Sequence, residues 1–101
     1  MPFFDLDKIR EAAAQQNIKY KGLKVPRSIR NLNYTLEDVS ACIISLTAAD
    51  FQKTIEYPDK TIHDVYIKNV IREEQTDRIY MKLRFLNNRE IEIVEIGSFH
   101  L

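Results

Sequence analysis

Apolar residues recur at helical spacing in the first half of the chain and at alternate positions in much of the second. Leu6, Ile9 and Ala13 share a helical face behind Asp5, a suitable N-cap, and Asn17 supplies a stop signal. The stretch from Ile18 to Val25 alternates like a strand until Pro26, with Gly22 weakening or bulging it. Arg27 to Asn33 reads as a polar connection. Thr35-Leu-Glu-Asp38 has the spacing of a capping box, and Leu36, Val39, Ile43 and Leu46 form the stripe behind it. Thr47-Ala-Ala-Asp50 repeats that start signal, with Phe51 and Ile55 one turn apart. The doubled cap predicts two short helices at an angle rather than one long helix.

From Ile62 to Ile71 the chain is rich in β-branched and aromatic residues, as a strand requires. Arg78 to Leu86 alternates cleanly. Ile79, Met81, Leu83 and Phe85 point one way, and Tyr80, Lys82 and Arg84 the other. Asn87-Asn88 suits a tight turn, and Glu90 to Ile96 reads as the returning strand. A three-residue turn pairs Phe85 with Ile91, Leu83 with Ile93 and Arg84 with Glu92, with a bulge where the pattern slips at Ile93-Val94. Helices first and a strand meander after predict an α+β domain over residues 1–101, its short helices packed on one face of a small antiparallel sheet.

Composition narrows the class. The chain is 45% hydrophobic and 30% charged, a globular balance. It has no apolar run near the ~18 residues of a membrane span. Its N-terminus lacks the basic and apolar pattern of a signal peptide. One cysteine, Cys42, makes neither an internal disulfide nor a zinc site and reads as a core residue. A cytoplasmic protein is expected. Net charge is zero, with fifteen basic and fifteen acidic residues, but the bases are unevenly spread. Lys19, Lys21, Lys24, Arg27 and Arg30 fall between Ile18 and Asn33 with no acid among them. Such a run is either a phosphate-binding stripe or a solvated surface.

There is no Gly-rich phosphate loop, His-Glu-x-x-His, Cys-x-x-Cys or Gly-x-Ser-x-Gly. The residues able to carry chemistry are His63, His100, Lys53, Tyr80 and the bases sharing its strand face. One reaction suits that inventory. Cleavage of RNA by its own 2′-hydroxyl needs a base, an acid and cations around the phosphorane, and neither metal nor cofactor. Each residue also has a bland reading: His63 as a structural strand histidine, His100 as a frayed end, Lys53 as a solubilising helix lysine, Tyr80 as a cross-strand packing residue.

Leu46-Thr-Ala-Ala-Asp-Phe-Gln-Lys-Thr, then Tyr57-Pro-Asp-Lys-Thr-Ile-His-Asp-Val-Tyr66 and Ile79-Tyr-Met-Lys-Leu83, together resemble the MqsR (motility quorum-sensing regulator) toxin family. The resemblance is firm over Ala41 to Phe85, gapped before it and weak after Asn87. It implies a RelE-like fold and a sequence-selective, metal-independent mRNA endoribonuclease. It also implies an antitoxin partner that contains zinc and a helix-turn-helix DNA-binding part. The family's helix-block lysine falls on Lys53 and its strand tyrosine on Tyr80. A family glutamine falls on His63, and the C-terminal lysine has His100 as its nearest counterpart. On this reading Lys53 and Arg84 hold the scissile phosphate, and His63 or His100 moves protons. Tyr80 orients the nucleotide, and Lys19 to Arg30 with Lys82 track the flanking RNA. The alternative is a binding module of the same fold without activity, which the zero net charge favours.

Overall fold

The computed structural model describes residues 1–87 and 91–101. Helix α1 spans Leu6–Ala14, and the Asp5 carboxylate accepts from the Asp7 amide at its start. It ends where Gln16 turns into the left-handed region, just before Asn17. Strand β1 is only Ile18–Tyr20. Gly22 then turns the chain at positive φ, and helix α2 covers Lys24–Asn31. The expected strand therefore stops at Tyr20, and its second half and the polar connection after it give way to a turn and a helix. Pro26 sits in its first turn, where a missing N–H removes no helical bond. Val25 and Ile29, one turn apart, are its buried stripe.

Helix α3, Leu36–Ile44, starts with the predicted capping box between Thr35 and Asp38. Val39, Ile43 and Leu46 are fully buried. The second cap, Thr47 to Asp50, is also present, but it opens a single 3₁₀ turn, Ala48–Asp50. The chain then runs straight into strand β2, Phe51–Glu56. No second helix forms from Phe51, and Lys53 lies on a strand. Strands β3 (Ile62–Arg72), β4 (Gln75–Asn87) and β5 (Glu92–His100) complete a five-stranded sheet of order β1-β5-β4-β3-β2. All neighbours are antiparallel except β1, which pairs parallel to β5.

The α+β arrangement matches the expectation, with one parallel edge added. Ile79, Met81 and Leu83 are fully buried beneath the helices, together with Val94, Ile96 and Phe99 of β5. The register of β4 on β5 differs from the expected one by three residues: Phe85 faces Val94, Leu83 faces Ile96 and Arg84 faces Glu95. An odd shift exchanges the two faces of a strand, so Val94 and Ile96 turn inward where Ile91 and Ile93 were expected to. The bulge lies at Gly97, between the Lys82–Ser98 and Leu83–Ile96 pairs, and not at Ile93-Val94. The turn expected at Asn87-Asn88 lies partly outside the described residues.

Candidate functional site

The helices leave one sheet face open, and strand alternation decides what it displays. On β4 these are Tyr80, Lys82 and Arg84, as the sequence pattern predicts. The register adds neighbours on either side. Tyr80 lies between Ile67 and His100, Lys82 between Val65 and Ser98, and Lys53 faces Val65 from β2. Lys53, Tyr80, Lys82 and His100 therefore share this face although they come from three strands.

The Tyr80 and His100 rings stack, with centroids 5.1 Å apart and planes at 19°. Lys82 Nζ lies 6.0 Å from the Tyr80 ring centre and donates a 2.9 Å hydrogen bond to Tyr57 Oη. That bond favours the ammonium, so the Lys82 pKa is raised. Tyr57 belongs to the loop between β2 and β3. Its amide bonds to Thr61 O at 2.8 Å, and its own carbonyl accepts from the Lys60 amide, also at 2.8 Å. Lys53 is exposed, and no ion pair among the described residues engages it.

Beside this group is a pocket of about 660 Å³, bounded by the Tyr57–Thr61 loop, by Lys21 and Gly22 after β1, and by Lys82 and Gly97. His63 lines it and is 2% exposed. Its ring stands edge-on to Tyr57 at 5.7 Å, and neither ring nitrogen has a hydrogen-bond partner among the described residues. Burial lowers the His63 pKa, and the charges of Lys21, Arg84 and Lys82 act in the same direction against Glu95. The imidazole is therefore held neutral.

Two expectations change on these contacts. Arg84 lies 3.5 Å from the buried Glu95 carboxylate, which Lys19 also approaches at 3.8 Å, so the Arg84 charge is matched within the sheet. The basic run from Lys19 to Arg30 is divided. Lys21 rims the pocket, and Lys24 lines a small hollow with Ser98 and His100. From Lys24, Arg27 and Arg30 follow at three-residue steps along the exposed side of α2, opposite the buried Val25 and Ile29. Cys42 is a core residue as expected, with burial raising its thiol to about 11.

Sequence reasoning missed Tyr57 and Gly97 as parts of this region. Gly97 had a signal: a lone glycine inside an apolar strand pattern marks a bulge or a close approach. Tyr57 had none beyond its place in the Tyr-Pro-Asp motif.

Among the described residues, no helix is long and apolar enough to cross a membrane. No curated protein matches the sequence. A family model described as "Motility quorum-sensing regulator, toxin of MqsA" matches residues 1–100, well beyond the block that carried the resemblance.

Proposed function

The chain belongs to the MqsR toxin family, and from that premise we propose that it is a metal-independent mRNA endoribonuclease, the toxin of a toxin-antitoxin pair. Membership itself gives the coarser statement: a toxin with an antitoxin partner of the MqsA kind. The ribonuclease reading rests above all on the stacked Tyr80–His100 pair beside the Lys82 ammonium on an open sheet face.

The chemistry follows from those groups. A 2′-hydroxyl attacks the neighbouring phosphorus, losing its proton to a base, while an acid protonates the departing 5′-oxygen. The products are a cyclic 2′,3′-phosphate and a 5′-hydroxyl. His100 is exposed, and its Nδ1 lies 2.9 Å from Leu101 O, which leaves Nε2 for the substrate, so the acid–base role is assigned to that nitrogen. Tyr80 orients the imidazole by stacking and presents its hydroxyl to the reacting phosphate. Lys82 and Lys53 supply positive charge as the phosphorane forms. Arg84, already paired with Glu95, supports the sheet beneath them and is not assigned to the phosphate. His63 is buried and neutral, and proton transfer is not assigned to it.

Purified protein is expected to cut mRNA in the presence of EDTA. Tyr80→Phe, Lys53→Ala and His100→Ala should each slow cutting by about 10²-fold or more while the circular dichroism spectrum stays unchanged. Undiminished cleavage in both Lys53→Ala and Tyr80→Phe would overturn this site. Induced expression should arrest growth for the wild type and not for these variants. Harmless wild-type expression would instead favour a binding module. The proposed partner carries zinc and a helix-turn-helix part. A neighbouring reading frame with paired Cys-x-x-Cys motifs, whose product copurifies with this chain and contains zinc, is the expected finding. The mRNA target places the protein in the cytoplasm.

A further inference from the structure

The pocket beside Tyr80 and His100 contains a buried polar side chain that the cleavage chemistry leaves unused. His63 is 2% exposed, lines the cavity, and has no hydrogen-bond partner for either nitrogen among the described residues. An unpaired buried polar group costs on the order of 1–3 kcal/mol. The backbone beside it is shaped to admit the ring. A Cβ placed at Gly97 falls 2.8 Å from His63 Nε2, so any side chain there would press on the imidazole. The β4–β5 register breaks at the same residue, between Ser98 and Ile96. The glycine bulge and His63 thus both belong to the cavity lining.

The walls indicate what fits. The volume, about 660 Å³, is that of a small-molecule site. Its lining includes the Tyr57 ring, Pro58 and glycine backbone, the cationic Lys21 and Lys82, and Thr61 with Asp59, whose carboxylate accepts from the Thr61 amide. A flat heteroaromatic ring inside, attached to phosphates outside, matches that lining. Lys82 joins the pocket to the Tyr80–His100 pair, since it lines the former and lies 6.0 Å from the Tyr80 ring. On β5, Gly97 at the pocket and His100 at the pair are three residues apart, about 10 Å along an extended strand.

We infer that this pocket takes one nucleobase of the RNA, splayed out of the strand beside the scissile phosphate, and that His63 reads its hydrogen-bonding edge. The inference rests on the ribonuclease reading and gives that site its sequence selectivity. A neutral imidazole offers one donor and one acceptor. Because it is buried in the pocket wall, a base with the wrong pattern leaves it unpaired, and such sites discriminate more strongly than apolar ones. Single-stranded RNA is commonly read in this way, by unstacked bases set against aromatic side chains.

Two measurements decide it. In protein labelled with ¹⁵N at histidine, the His63 ring nitrogens should shift on titration with one of the four ribonucleoside 5′-monophosphates. Ribose 5-phosphate should leave them in place. In a random RNA pool with sequenced cut ends, His63→Phe, which keeps a ring but removes its donor and acceptor, and Gly97→Ala should each flatten the preference at one position next to the cut by about tenfold. The readout is the ratio of cuts among the four bases at that position, which a uniform change in rate does not move. His63→Phe decides the matter alone should Gly97→Ala fail to fold. An unmoved His63 with all four nucleotides, or an unchanged preference in His63→Phe, overturns the inference and leaves the ribonuclease reading standing. Should the wild type cut no RNA, that reading fails separately. Binding of 2′-O-methyl tetranucleotides then decides: base-dependent shifts at His63 support the pocket, and their absence overturns it.

Discussion

His63 couples the pocket to folding through a proton. Its pKa is lowered from the ordinary 6.5, chiefly by burial. Between that lowered value and about 6.5, the unfolded chain binds more protons than the folded one, so stability rises with pH across the window. The effect is fully present above the unfolded pKa and is lost as acid charges the ring among Lys21, Lys82 and Arg84, with Glu95 only partly offsetting them. Urea midpoints measured from pH 7.5 to 5 should therefore fall more steeply for the wild type than for His63→Gln. Parallel curves would show that the ring does not titrate against folding. The Asp64 carboxylate on the neighbouring position serves the opposite face. It is fully buried and accepts from the Phe3 and Phe4 amides at 3.0 and 2.8 Å, pinning the N-terminal arm to β3. The alternation His-Asp-Val-Tyr thus gives adjacent residues unrelated tasks.

The elements differ in how legible they are. The caps at Asp5 and Thr35 were readable because a short polar side chain satisfies nearby amides without help from the rest of the fold. The inward face of β4 was readable because alternation over many residues admits one solution. Phe51 and Ile55 matched a helical turn by their spacing of four, but a register shift after Phe51 sets them on opposite faces of β2, against Tyr66 and His63. Partners on β3 decide in favour of strand. Helix α2 was hidden by its charge: only Val25 and Ile29 face the core, and Pro26 resembled a strand terminator. Lys53 and Tyr80 were found as residues, yet the row that sets Lys53 level with Lys82 across β3, and the pairing of Tyr80 with His100, depend on a register no local pattern encodes. The β3–β4 turn offers a test at this scale. Glu73 and Glu74 both have positive φ, 47° and 69°, between the paired Arg72 and Gln75. A two-residue turn of this kind favours Asn-Gly. Replacing Glu73-Glu74 by Asn-Gly should raise unfolding stability by about 0.5–2 kcal/mol in urea melts, with RNA cutting unchanged. A loss of stability would contradict the turn geometry.

Across the whole molecule, a net charge of zero conceals a division of labour. Lys53, Lys82 and Lys21 gather at the open face, whereas Asp64 and Asp77 are buried and Glu73 and Glu74 sit at the far hairpin. RNA binding should therefore depend on salt despite the neutral total. With about three phosphates engaged, the slope of log affinity against log salt should be about −2, at roughly −0.7 per single-strand phosphate. A flat dependence, measured by fluorescence anisotropy, would indicate that the open face does not carry the contact. The topology adds a matter of timing. Strand β5 supplies His100 to Tyr80 and Gly97 to His63, and it is also the only described strand on which β1 can pair, joining Ile18 to Val94. A chain halted during synthesis before β5 therefore holds Tyr80 without its stacking partner and Ile18–Tyr20 without a ladder. The open face is therefore complete only once β5 has been made and paired with β4.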